Sequence, residues 1–347
     1  MSTTARNLLI VFLITLGTHA LAVSYLPQDF DEPVYVQVAM DYADSLQREE
    51  INSVIDYPES REHPALVKLV YGIAALADGN INNYTAVLKS SRVVSAVFGV
   101  LATLIVALID PFAGCLMAVH TLVVKYSSQA YLEAIPLAMS TLSIFAFLKI
   151  GRERRGAWLW LSAIALGIAT AAKLTYIPVT VVVLCYLAFF EKKIQLKWMM
   201  FYSVVAVGVF FAFNVTLWHD PFDRAAESLA FHLNYQRGAH VQEADFPWYQ
   251  PFNWLFVESP GNWHPSVFFY DVDQFIAFFA FAGIPRECRQ RRWLVVWLLS
   301  GIVFLLAWGT KWLQYVLTII PAICLMAAES LRRTWTWFTQ LSYYKSV

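Results

Sequence analysis

The sequence predicts an all-α polytopic membrane protein of about ten transmembrane helices, and three observations carry that prediction. The 347 residues are 59% hydrophobic and 16% aromatic. Only 14% are charged, against roughly a quarter in soluble domains. The apolar residues are gathered into runs close to the ~17–25 residues that a spanning helix needs. So much apolar and aromatic surface excludes a disordered chain. With 25 basic and 25 acidic residues the formal net charge is zero, so no basic footprint for nucleic acid exists. The reading is one integral membrane domain, 1–347, in contact with the lipid bilayer.

The first run, 7–26, follows Arg6 and ends at Ala20-Leu21-Ala22, which imitates a cleavable signal but is read as a retained span. A polar segment, 27–84, comes next. Within it Pro33 suits the first turn of a helix, and the carboxylates before it favour that helix end. Val34, Val38 and Tyr42 then share one face, a pattern suited to the membrane interface. The apolar stretch 64–77 contains Lys68 and is too short to cross, so it is expected to lie in the interface as a second such helix. Spans follow at 85–109, 112–128, 131–148, 157–173, 174–190 and 198–217. A second long polar segment covers 218–271. Three more spans close the pattern at 272–285, 293–309 and 312–328, the first of them short.

Basic residues set the orientation, because cytoplasmic loops are enriched in Lys and Arg. Lys149, Arg152, Arg154 and Arg155 form one cluster, and Lys192, Lys193 and Lys197 another. Arg286, Arg289, Arg291 and Arg292 form a third, and Arg332 and Arg333 follow the last span. Ten spans place all four clusters on one side with Arg6 and both termini. Among acidic residues that side holds only Asp110, Glu153, Glu191, Glu287 and Glu329. The expected location is the cell membrane with both termini cytoplasmic. The two long polar segments, the first outer loop 27–84 and the second outer loop 218–271, then lie outside, and any chemistry belongs at that face.

Cys115, Cys185 and Cys324 fall inside spans and Cys288 in a cytoplasmic loop, so no outer disulfide and no zinc spacing is expected. No internal repeat, phosphate-binding loop or dinucleotide fingerprint is present.

The first outer loop opens with Asp29-Phe30-Asp31-Glu32-Pro33, three carboxylates within four residues. Arg92 stands inside a span, where an isolated cation costs roughly 2.5–3.5 kcal/mol on insertion scales. It is either functional or half of a structural ion pair with a loop carboxylate. Glu133 opens an outer-to-inner span, Lys173 marks an outer junction of two spans, and Lys311 begins the last span. Both lysines could equally snorkel to the interface. His63 sits at the start of the second interfacial helix; His219, Asp220, Asp223 and His264 come from the second outer loop. The aromatic residues around Trp248, Trp254 and Trp263 suit either the interface or a lid over a sugar.

At these residues the sequence resembles a family. Asp31-Glu32 with Tyr35, and the run from Glu62-His63-Pro64 to Lys68-Leu69, resemble the acidic loop and "EHPPLxKL" segment of protein O-mannosyltransferases and related GT-C glycosyltransferases, including the aminoarabinose transferase group. Ser91-Arg92-Val93-Val94-Ser95 resembles their arginine-bearing span, and Tyr126 to Glu133 their second acidic motif. Gly167 to Lys173 resembles a "GxAxxxK" span end. Lys311 to Pro321 is similar to a late "KxxRYxLxxxP" segment, with Gln314 in place of the usual arginine. The likeness covers 8–175 and, more thinly, 311–328. No large soluble domain accompanies the spans, which leaves the acceptor open.

The resemblance implies a GT-C-like arrangement and a sugar donor carried on a polyprenyl or dolichyl phosphate, transferred with inversion at the outer or luminal face. It places the general base at Asp31; Glu32 would then orient it or the acceptor, and Asp29, two residues away and equally acidic, is the alternative base. Arg92, Lys173 and Lys311 are then candidates for the lipid phosphate. Glu133 is a candidate for binding sugar hydroxyls or holding a basic residue. Some relatives use a divalent metal, for which Glu62, His63 and His264 are candidate ligands; no cofactor is otherwise expected. Two other classes compete: a transporter or flippase for a lipid-linked substrate, which predicts paired discontinuous helices, and a non-catalytic subunit, whose loop carboxylates would point away from any cavity.

Overall fold

A computed structural model describes residues 2–59, 62–151, 155–192 and 194–344. Arg152, Glu153, Arg154 and Lys193 of the basic loops lie outside these. Among the described residues the chain is helical and has no strand. The helices run α1 (Thr3–Tyr25), α2 (Glu32–Gln47), α3 (Ile51–Ile55), α4 (Leu66–Asp78), α5 (Tyr84–Ile109), α6 (Pro111–Val119), α7 (Thr121–Tyr126) and α8 (Ala134–Leu148). They continue with α9 (Arg155–Ala172), α10 (Ile177–Phe189), α11 (Leu196–Phe213), α12 (Pro221–Tyr235), α13 (Ala239–Ala244), α14 (Gln250–Phe256) and α15 (Pro260–Trp263). Last come α16 (Asp273–Ala282), α17 (Ile284–Gln290), α18 (Arg292–Ala307) and α19 (Ile320–Tyr344). Helices α1, α5 and α11 are long and apolar enough to cross a membrane alone, and α8, α9, α10, α16 and α18 are apolar over shorter stretches. The protein is an integral membrane protein of the expected all-α class.

Three helix starts fall where the sequence supplies a reason. Pro111, Pro178 and Pro321 each stand in the first turn of a helix. Proline lacks the N–H that an interior position must donate, and its ring clashes with the carbonyl four residues back. The expected span 312–328 therefore begins as a 3-10 turn, Leu313–Thr318, and becomes α-helical only at Ile320. The expected span 112–128 is also in two pieces, α6 and α7. They are separated at His120, whose backbone is extended (φ −70°, ψ 113°), and no proline marks that break.

The two segments expected in the interface, α2 and α4, pack against each other. Tyr35, Ala39, Tyr42 and Ala43 of α2 and Val67, Tyr71 and Ala75 of α4 are buried. Gly72 permits the approach, since a Cβ there would lie 2.9 Å from the Ala39 carbonyl oxygen. Val34, expected on one face with Val38 and Tyr42, is exposed while those two are buried; α4 and α5 cover two sides of α2 and leave that flank open. Away from the loops, Ser143 of α8, Ser162 of α9 and Tyr202 of α11 share hydroxyl hydrogen bonds of 3.0–3.2 Å. They join three helices in an interior with few other polar groups.

Arg286 and the pair Arg332 and Arg333 share Glu329. Arg332 grips Asp110, which also accepts the amides of Phe112 and Ala113 at the start of α6, and Arg286 lies 3.7 Å from Glu329. The two long polar segments meet each other elsewhere: His219 and Arg224 both bond Asp56, and the Ser228 hydroxyl donates to the Glu62 carbonyl. Tyr202→Phe is expected to cost only about 0.5–1.5 kcal/mol, because the two serines still bond each other's backbone and side chain. Thermal unfolding in detergent, with the midpoint falling by about 1–3 °C, measures this.

Candidate functional site

The acidic loop joins α1 to α2, and its three carboxylates meet three different fates. Glu32, at the first position of α2, is fully buried and receives Arg92 of α5 at 2.7 Å (Nε to Oε1) and 2.6 Å (Nη2 to Oε2). It also accepts the amides of Asp29 (2.9 Å) and Ala130 (2.7 Å). The remaining Arg92 donors go to the carbonyls of Leu26 (2.8 Å) and Pro27 (3.0 Å) at the end of α1. Of the two readings of Arg92, the geometry is the ion pair. Asp29 meets Lys125 of α7 at 2.6 Å. Burial alone would raise the Asp29 pKa, but Lys125 outweighs it and holds the carboxyl below its ordinary range.

Asp31 has no such partner among the described residues and faces a cavity of about 490 Å³. Burial pushes its pKa from 3.8 up to about 6, with Glu133 and Asp29 adding to the shift and Lys173 and His240 opposing it. Lys173, at the end of α9, lines the same cavity and is paired with Glu133, which is itself buried and does not line it. Tyr35, Tyr126, Tyr131 and Tyr315 complete the wall around them.

The far side of the cavity comes from the second polar segment. Phe231, His232, Tyr235, His240, Phe246, Trp254, Glu258 and Trp263 all line it. The His240 ring is stacked between Phe30 and Trp312, 5.1 Å from each, so this segment closes over the acidic loop. His63 lines the cavity 5.5 Å from the His232 ring. Burial lowers the pKa of both, and Lys173 lowers them further; both are neutral at pH 7.

Of the nine expected site residues only Asp31, Lys173 and His63 line the cavity; Asp29, Glu32, Arg92, Glu133, Lys311 and His264 do not. Lys311 turns its ammonium to the carbonyls of Leu306 and Trp308. His264 is near Asp29 and Lys125, and its pKa is lowered by burial and by Lys125. His219, Asp220 and Asp223 are likewise outside the lining. As metal ligands, Glu62, His63 and His264 do not come together: among the described residues no group of three His, Cys, Asp or Glu is placed to hold an ion. No chemical step is assigned to a metal.

Sequence reasoning missed Lys125, His232 and His240. Lys125 carried a usable signal, an ionisable residue inside an apolar run. The two histidines carried none, because only the folding of the second segment brings them to the cavity.

No protein-family model matches the sequence, and no curated protein is similar to it. Solved structures are similar in fold. The chain matches ArnT from Cupriavidus metallidurans bound to undecaprenyl phosphate with a TM-score of 0.63 at 14% identity, over 99% of this chain and 63% of that one. It matches the archaeal oligosaccharyltransferase AglB from Archaeoglobus fulgidus, in complex with an inhibitory peptide and a dolichol-phosphate, with a TM-score of 0.55 at 13% identity. That match covers 99% of this chain and 51% of the other. Both are GT-C membrane glycosyltransferases, and the chain has their fold, as its motifs lead one to expect. It spans less than two thirds of the length of either.

The geometry sets two expected outcomes. Arg92→Met is expected to destabilise the protein by about 3–5 kcal/mol, because it leaves Glu32 buried and uncompensated. Adding Glu32→Gln should recover part of that loss in thermal unfolding. For Asp31 the folded state keeps its proton to a higher pH than the unfolded chain, so stability falls as pH rises from about 4 to 6. Asp31→Asn should therefore raise the unfolding midpoint at pH 7.5 and leave it unchanged at pH 4.

Proposed function

We propose that the protein transfers a sugar, with inversion, from a polyprenyl- or dolichyl-phosphate donor to an acceptor hydroxyl at the outer or luminal membrane face. The observation that carries this reading is the selection among the loop carboxylates. Glu32 and Asp29 are paired with cations, whereas Asp31 faces the cavity with a pKa near 6. Such a carboxylate is basic enough to accept a proton yet mostly ionised at neutral pH.

In the reaction the acceptor oxygen bonds C1 from the face opposite the phosphate, its proton passes to Asp31, and the C1–O electron pair leaves with the lipid phosphate. Negative charge then grows on the phosphate, where a fixed cation in a poorly hydrated site stabilises it most. Lys173 is the cation on the cavity wall. Arg92 and Lys311, the other two candidates, are bound to Glu32 and to backbone carbonyls. Glu133 holds Lys173 in place. An apolar groove of about 840 Å³ between α10 and α18, which reaches Ala307 next to Trp308 of the cavity wall, supports a lipid-chained donor. The lipid phosphates bound by the similar structures support the same partner.

One observation favours a transporter, the helix broken at His120. Ligands at such breaks use free helix ends, and here the amides that begin α7 are occupied by Asp273. A non-catalytic subunit predicts carboxylates turned away from the cavity, whereas Asp31 lines it.

Transfer from a panel of radiolabelled polyprenyl-phosphate sugars to native membrane extracts tests the proposal. Asp31→Asn is expected to lower transfer about 10²–10⁴-fold in a protein that still unfolds cooperatively. Wild-type transfer should fall as pH drops through about 6, when Asp31 takes up its proton. Transfer that survives in the variant would move the base to Asp29 or Glu32. No transfer from any donor by folded wild-type protein would overturn the reading.

A further inference from the structure

One buried acid stands apart from the cavity and its chemistry. Asp273, the first residue of α16, is 1% exposed and is aimed at the break between α6 and α7. Its Oδ1 accepts the Thr121 amide at 2.9 Å. Its Oδ2 accepts the Thr121 hydroxyl at 2.6 Å and the Leu122 amide at 3.3 Å. The His120 ring nitrogen Nδ1 lies 3.1 Å from Oδ2. At His120 the backbone leaves the helical region, so the first amides of α7 lose the carbonyls that a continuous helix would give them. In a water-free interior such donors need another acceptor. One carboxylate supplies it, and stands at the positive amino ends of both α7 and its own helix, α16.

We propose that Asp273 is a positioning residue for the base: by closing the amino end of α7 it fixes the segment 121–133, on which the acidic loop is docked. Helix α7 has six residues, too few to hold a direction by itself. Residues beyond Thr121 touch the acidic loop repeatedly. Lys125 pairs with Asp29, the Gln129 side chain donates to the Pro27 carbonyl at 3.1 Å, and the Ala130 amide donates to Glu32 at 2.7 Å. The Tyr131 hydroxyl lies at the Asp31 backbone, and Glu133 holds Lys173. A change in the direction of α7 therefore displaces the supports on both sides of Asp31, while the apolar groove between α10 and α18 stays where it is. Asp273 does not line the cavity, so it acts through these contacts and not on the substrate.

The catalytic side of this inference rests on the proposed sugar transfer, and the test separates the two. In the transfer assay, Asp273→Asn should lower kcat about 10–100-fold, the scale set by a displacement of about 1 Å, with a smaller change in donor KM, because the displaced segment also carries Glu133, which holds Lys173. Lys125→Met should do the same, and the double variant should be within about twofold of Lys125→Met alone. Thr121→Val should lower kcat in the same direction, and Thr121→Ser, which restores the hydroxyl, should recover it; these milder variants serve if Asp273→Asn does not fold. A multiplicative double variant, an unchanged kcat or a rise confined to KM would overturn the proposal. If folded wild-type protein transfers no sugar, the transfer reading fails and the docking role is read without catalysis. The unfolding midpoints of Asp273→Asn, Asp29→Asn and their combination should then be non-additive, and additive shifts would overturn it.

Discussion

The ion pair between Glu32 and Arg92 is the contact on which the rest of the site depends. It ties the start of α2 to the middle of α5, and its spare bonding capacity reaches the end of α1 and the Ala130 amide. Four separate stretches of chain therefore meet at one pair of buried charges. A buried pair contributes little net stability, because desolvation offsets the attraction, yet its geometry is demanding. That demand fixes the backbone of residue 31 to within a single arrangement.

The remaining charges follow from the same physics. In an interior of low polarity each charge needs an opposite one within a few ångströms. Asp29 has Lys125, Glu32 has Arg92 and Glu133 has Lys173. Among these four acids Asp31 is left without a cation of its own, and burial, with Glu133 and Asp29 adding to it, raises its pKa. A group kept ionised only at some cost is one that gains by taking a proton, which is the property a general base requires. The sorting of charges thereby leaves one carboxylate of the loop facing the cavity without an ion pair among the described residues.

Much of this was legible in the sequence because it depends on local pattern. Run lengths marked the apolar helices, Pro33 and the acidic residues marked the start of α2, and the short apolar run after Pro64 marked α4 as a helix. The break at His120 was not legible, because hydropathy is continuous from Phe112 through Val124 and the acceptor that makes the break tolerable, Asp273, is 152 residues away. Lys311 and His264 are residue types suited to the chemistry, yet the Lys311 ammonium is taken up by the carbonyls of Leu306 and Trp308, and His264 does not line the cavity. Residue type states what chemistry is available; only direction states where it is delivered.

By itself, then, the sequence determined an all-helical membrane protein and a small set of ionisable residues, since the partition of apolar surface between water and lipid depends on composition and spacing alone. It narrowed the base to three neighbouring carboxylates and left Arg92 between a structural and a functional role. Tertiary structure shows Glu32 paired with Arg92, Asp29 paired with Lys125, and Asp31 facing the cavity. Which carboxylate pairs with which cation depends on contacts between residues 60, 96 or 40 positions apart, and the energy of a charge is set by what surrounds it in space.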